Sequence, residues 1–222
     1  MAARPEKTKI MLINRRHLLQ TGAAGAAFAA LGTGSALAVT REELSVAGPL
    51  GDKSLGDENA PVRIIEYASM TCTHCAHFHE TTYPAFKKDF IDTGKVHFTL
   101  REFPLDGRAL AAFMLARSAP GDRFFEMVDL LFDQQQQWAF VPREQGSTAL
   151  FNVVKQAGFT QESFVETLKN QELADAVKWV GQRASERFGV HSTPTFFINE
   201  DMVAGALEID DLSKRIEEAA AS

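Results

Sequence analysis

Residues Glu66–Glu80 read EYASMTCTHCAHFHE and hold the chain's only two cysteines, Cys72 and Cys75, with Thr73 and His74 between them. The run before them, VRIIEYAS from Val62, is apolar and β-branched and predicts a central strand covered on both faces, introduced by Pro61. After them Phe78, Tyr83, Phe86 and Phe90 recur roughly as one helical face. The cysteines therefore fall where a strand ends and a helix begins. A thiol at the first turn of a helix lies beside unpaired backbone N–H groups and the positive end of the helix dipole, and both favour thiolate. Cys72 is the expected nucleophile. Cys75, one turn further in and less accessible, is the expected resolving thiol. His74 is expected to donate a hydrogen bond to the Cys72 sulfur, or to add positive charge beside it. A thiolate favoured only in the dithiol makes the disulfide easier to reduce, each unit of pKa depression being worth about 1.4 kcal/mol. The expected character is that of an oxidant.

Other uses of the pair fit less well. A structural disulfide closing so short a loop gains little from chain entropy. A zinc site asks for four ligands, usually as two separated pairs, and no second Cys or His pair stands at a suitable spacing, so no metal is assigned. His77 and His79 are two residues apart, point in different directions on a helix, and read as exposed. Covalent haem attachment needs His directly after Cys75, where Ala76 stands. No cofactor is implied.

Upstream, Asn14-Arg15-Arg16-His17-Leu18-Leu19-Gln20 places a twin arginine before a weakly apolar Ala- and Gly-rich run, and Ala36-Leu37-Ala38 is a small-x-small cleavage site. Residues 1–38 read as a twin-arginine export signal, with an uncleaved anchor as the alternative, so the mature protein is expected to be periplasmic or otherwise exported. Beyond Ala38 the chain holds 18 basic against 28 acidic side chains, a net charge of −10, which argues against a nucleic-acid or anionic-membrane partner. Residues 39–60 form a polar lead-in broken at Gly48-Pro49, too short for a dimerisation domain.

Downstream, Pro84 should kink the helix and Gly94 close it. KVHFTLREF then alternates Val96, Phe98 and Leu100 against His97, Thr99 and Arg101, so strand, helix and strand form a parallel right-handed unit. Residues 105–170 change character. Leu110, Phe113 and Met114, then Phe124, Met127, Val128 and Leu131, recur at three and four, with breaks at Pro120-Gly121 and Pro142, and predict a small helical lobe. The Gln134–Gln137 run reads as a solvated helix end with no function. A long helix from about Glu172 to Phe188 stops at Gly189, Thr195–Ile198 reads as a strand with Pro194 at its start, Met202–Ala204 as its partner, and a last helix begins near Asp210. Glu66, the one acidic group in the first strand, is either an exposed strand residue or a buried carboxylate near Cys75 able to take and return a proton.

Taken together, the cysteine pair after a strand, Ser192-Thr193-Pro194-Thr195 before another and a helical block between them resemble the exported DsbA-like thiol:disulfide oxidoreductases of the thioredoxin superfamily, from about Leu50 onward. The resemblance implies an α/β thioredoxin fold in residues 61–104 and 171–222, with residues 105–170 as an inserted helical domain. It implies a cis Pro194 lying against the cysteines, with the Thr193 backbone turned toward an extended substrate. It also matches Glu66, six positions before Cys72, to a buried acid. The partners it implies are exported polypeptides with free cysteines and a quinone-linked membrane protein that reoxidises the pair. One departure is Thr73, where the best-known oxidases of the family have proline; His74 is kept. An oxidase is the leading expectation, with a reductase or isomerase and a thiol-based metal-binding or chaperone module as the alternatives.

Overall fold

The computed structural model describes residues 39–221, and the expected export signal with Arg15, Arg16 and the cleavage site at Ala38 lies outside the described residues. Among the described residues no helix is long and apolar enough to cross a membrane.

The centre of the fold is strand β2 (Val62–Ala68). It runs parallel to β3 (Val96–Glu102), in register from Val62↔Val96 to Ala68↔Glu102. The crossover between them consists of α2 (Thr73–Thr81), α3 (Tyr83–Phe86) and a π-helical turn at Lys87–Ile91. Pro84 lies in the first turn of α3, where its missing N–H costs nothing, so the expected kink takes the form of two helices meeting at Thr82. On its other side β2 pairs antiparallel with β4 (Thr195–Ile198), which pairs with β5 (Asp201–Ala204).

Because side chains alternate along a strand, β2 feeds two cores. Val62, Ile64 and Ala68 join Phe78, Phe86, Phe196 and Ile198 in the larger one, and Leu212 and Ile216 of α10 (Ile209–Ala220) close over it. Ile65 and Tyr67 join Leu44, Val180, Ala184, Phe188 and Phe197 beneath α9 (Gln171–Phe188). Burying one such side chain contributes roughly 1.5–3 kcal/mol, so the register of β2 is strongly fixed. The same alternation puts Glu66 on the face of Ile64 and Ala68, under the crossover helices.

The lead-in contributes ordered structure. Thr40 and Glu43 form a reciprocal cap on the single turn α1 (Arg41–Leu44), and β1 (Lys53–Leu55) adds an antiparallel edge to β3, giving the sheet order β1-β3-β2-β4-β5. The turn after β1 depends on Gly56, at φ +89°, where a Cβ would lie 2.3 Å from the Val96 carbonyl oxygen. This lead-in also changes the reading of β3. Thr99 and Arg101, assigned by alternation to a polar face, are buried. Arg101 donates to Asp52, to the Tyr67 hydroxyl and to the Leu44 carbonyl, so the lead-in supplies partners for a guanidinium inside the fold.

Between β3 and α9 come α4 (Gly107–Arg117), α5 (Phe124–Asp133), α6 (Gln135–Trp138), α7 (Gly146–Val154) and α8 (Gln161–Lys169). Asp106 accepts from the N–H groups of Arg108 and Ala109 and so starts α4, while Thr160 and Ser163 cap the start of α8. Phe113, Met127, Val128, Leu131, Trp138 and Phe164 of this lobe belong to the same buried cluster as the sheet's larger core.

Candidate active site

Cys72 is the N-cap of α2, with extended backbone angles (φ −83°, ψ 120°), and its carbonyl accepts the first helical bond, from the Ala76 N–H, at 3.1 Å. Its sulfur is half-buried, and both cysteines are free thiols. The Cys72 thiol donates to the Thr193 carbonyl at 3.2 Å, and the Thr193–Pro194 peptide is cis, which brings two segments 121 residues apart to one point. Cys75 is fully buried beneath it.

These surroundings separate the two thiols. Cys72 is held down at about 5: the Cys75 thiol donates to its sulfur, partial burial opposes, and the Thr193 hydroxyl with the N–H groups of Cys75 and His74 adds to the stabilisation of the anion. In this geometry the Thr193 hydroxyl is buried without a hydrogen-bond partner, so it is free to turn to the Cys72 sulfur when that becomes an anion. Cys75 is pushed well above the ordinary thiol range by burial first, then by its hydrogen bond to Cys72 and by the Glu66 charge. The site thus presents one ionised and one protonated sulfur at neutral pH.

His74 acts differently from expectation. Its imidazole is exposed and makes no hydrogen bond to the sulfur; its contribution is the backbone N–H at the start of α2. Glu66 is completely buried, as the buried alternative required, and its charge acts on Cys75. It has a partner that the sequence reading placed in solvent. His79 is buried, its Nε2 lies 3.1 Å from Glu66 Oε2, and its ring stacks on Phe132 of α5 at 4.4 Å. Burial disfavours the imidazolium, yet Glu66 and Asp129 outweigh it, and His79 is pushed up to about 9. His77, by contrast, is exposed as expected.

A second correction concerns the glutamine run. Gln135 is buried, and its side-chain amide donates to the Met70 carbonyl at 2.9 Å and the Cys72 carbonyl at 3.0 Å, so α6 clamps the turn that carries the nucleophile. From the same side Thr71 donates to Asp106, the capping residue of α4, at 2.7 Å. The helices between β3 and α9 therefore fix the active-site turn through two side chains. Neither could be singled out from sequence, because neither belongs to a spaced motif. Among the described residues no group of three His, Cys, Asp or Glu side chains is disposed to hold a metal ion.

A strand-to-helix thiol pair facing a cis proline, within this sheet order, defines a thioredoxin-type redox site. A family model described as Thioredoxin matches residues 50–218, and the chain belongs to that family, in its DsbA-like branch. The crystal structure of Wolbachia pipientis α-DsbA1 is 30% identical, superposes with a TM-score of 0.73, and is covered over 96% of its length by 82% of this chain. Disulfide bond formation protein D of Bacillus subtilis is 26% identical over 176 residues, 75% of this chain and 76% of that one. A Rickettsia typhi chain provisionally named a protein-disulfide oxidoreductase is 29% identical over 170 residues, 76% of this chain, and the match spans only 62% of that relative's length.

Proposed function

We propose that the protein is an exported thiol:disulfide oxidoreductase that introduces disulfides into polypeptides after their export. A substrate thiolate attacks the Cys72 sulfur of the Cys72–Cys75 disulfide; the S–S bond breaks, and Cys75 leaves as a thiolate and takes up a proton. A second substrate thiolate then attacks the substrate sulfur of the mixed disulfide, and Cys72 departs as a thiolate. The substrate has lost two electrons and the protein dithiol has gained them. The Thr193 backbone, at the cis bond to Pro194, is turned toward an extended substrate for strand-like pairing, and Glu66 exchanges the Cys75 proton. The backbone N–H of His74 helps to hold the departing charge.

The observation that carries this reading is the low pKa of Cys72 beside a buried, protonated Cys75, because it stabilises the dithiol relative to the disulfide. Similarity to a protein named for disulfide bond formation supports the same direction. Reoxidation by a quinone-linked membrane protein and a periplasmic location complete the proposal, the latter resting on the twin-arginine segment ahead of Ala38. The test is stoichiometric: the oxidised protein, mixed with a reduced unfolded polypeptide carrying two cysteines, should transfer its disulfide in a single turnover. Failure to transfer, with catalysed reduction of disulfides by the dithiol instead, would reverse the assignment.

A further inference from the structure

The turn that carries Cys72 is held from the start of α4 by the Asp106–Thr71 bond and from α6 by Gln135, and a cavity of about 620 Å³ opens between the same two elements. Its volume is that of a small-molecule site. Ala111 of α4, Trp138 of α6, Leu150 of α7 and Leu168 of α8 give it an apolar floor, while Arg108, Arg143 and Asp106 supply its charge. Arg101, Arg117, Arg123 and Arg187 each stand in an ion pair with a carboxylate. Among the described residues neither Arg108 nor Arg143 has one.

Arg108 is set in place before any ligand arrives. Its Nη1 donates to the Ala139 carbonyl at 2.6 Å, and the rest of the group lies against Gly146, where a Cβ would come 3.1 Å from Nη2 and 3.2 Å from Cζ and Nε. The Nε and Nη2 N–H groups, the edge that meets a carboxylate with two parallel bonds, have no partner among the described residues. Asp106 is engaged elsewhere: its Oδ1 accepts from the N–H groups of Arg108 and Ala109, and its Oδ2 accepts from Thr71. Two cations and one carboxylate leave room for a single negative charge.

We propose that this cavity binds a small organic anion, an apolar body carrying one carboxylate, and that its occupancy steadies the Cys72 turn. The carboxylate meets Arg108 with Arg143 beside it, and the apolar body covers the floor. A polypeptide is a poorer occupant, because the walls are helices and offer no strand edge for main-chain pairing. In a chain of net charge −10 beyond Ala38, the positive pair is a local feature of the cavity and not part of a basic surface. The ligand joins the start of α4 to the end of α6, the two elements whose side chains hold Met70, Thr71 and Cys72, so local opening of that turn becomes rarer. The inference is independent of the direction of thiol exchange.

The probe is 2-naphthoate, added to the nitrogen-15-labelled dithiol protein. The two tryptophans, Trp138 under the cavity and Trp179 on α9, give separate indole N–H signals, assigned with Trp179→Phe. Saturable binding that shifts the Trp138 signal and leaves that of Trp179 in place is the expected result; the reverse pattern, or no saturable shift, overturns the site. Arg108→Gln should weaken binding about 10-fold or more, and Arg143→Gln about 2- to 5-fold. Independently of any variant, 2-naphthamide, close in shape but uncharged, should bind the parent protein about 10-fold more weakly, and equal affinity overturns the assignment of an anion. An acetylated Phe-Glu peptide amide that binds more tightly than 2-naphthoate would give the cavity to polypeptide segments and overturn the occupant proposed. Hydrogen exchange read by mass spectrometry should slow by about twofold or more across Met70–Cys75 with the probe bound; exchange there unchanged at saturation overturns the link to the Cys72 turn.

Discussion

Replacing Gln135 by Leu tests whether α6 holds the nucleophile in place. The side chain is close in shape but lacks both donors, so the Met70 carbonyl loses its hydrogen bond at 2.9 Å, while the Cys72 carbonyl keeps its helical bond from Ala76 and loses only the second one at 3.0 Å. A buried carbonyl left without a partner costs about 1–3 kcal/mol and a lost ordinary hydrogen bond about 0.5–1.5 kcal/mol. Against this, Gln135 Oε1 is itself buried without a partner, and removing it returns about 1–2 kcal/mol. The net is a destabilisation of about 1–2 kcal/mol, or a fall in Tm of about 3–6 °C for a domain of this size. The redox consequence is more specific. The Met70–Cys72 turn is released from α6, the start of α2 loosens, and the N–H groups that favour the Cys72 thiolate lose their aim. Adduct formation at neutral pH should therefore fall in step with a rise in the Cys72 pKa. Calorimetry and an alkylation-rate profile against pH read the two effects. A variant with unchanged Tm and an unchanged profile would refute the clamp.

Four other outcomes are expected. Cys75→Ser should trap mixed disulfides at Cys72, recoverable from exported extracts; their absence would contradict the assigned roles. Thr193→Val removes the hydroxyl that favours the anion and should raise the Cys72 pKa by about one unit, a hydrogen bond of about 1.5 kcal/mol, with a correspondingly less oxidising potential. His79 has its pKa raised by folding, so its contribution to stability should be complete below about 6.5 and be lost as pH rises through about 9, a loss that His79→Gln should abolish in denaturant titrations. Gly56→Ala places a Cβ against the Val96 carbonyl at a positive φ, and should destabilise by about 2–4 kcal/mol without altering the Cys72 pKa.

The sequence carried what depends on local chemistry. The Cys72–Cys75 spacing at a strand-to-helix junction, the strand beginning at Thr195 after Pro194, and the helical periodicities between Gly107 and Lys169 are short-range signals, and the structure places each where it was read. Burial of polar groups is not short-range. His79 lies inside because Phe132 and Asp129 of α5 close over it, some 50 residues later, and nothing near His79 reports that. Gln135 reads locally as one of four solvated glutamines, and only the packing of α6 on the Cys72 turn buries it. Arg101 alternates like an outward residue, and only the lead-in that crosses it turns it into a core cation. For the His74 imidazole the reverse holds: proximity in sequence to Cys72 does not fix a rotamer, and it is the backbone N–H that the helix start commits to the sulfur.

The redox chemistry turns on the ionisation of one sulfur. Depression of Cys72 from the ordinary value of 9 to about 5 spans two units below pH 7. At pH 7 this favours the dithiol by about 2.7 kcal/mol, which solvent screening at a half-exposed sulfur reduces to about half, near 1.4 kcal/mol or about 30 mV. The contribution is present at neutral pH and lost as pH falls through about 5. Following the ultraviolet absorbance of thiolate in the reduced protein, with Cys72→Ser as the blank, measures it directly. Half-titration at about pH 5 is the expected result, and a sulfur still protonated near pH 8 would contradict the assignment of this pair as an electron acceptor.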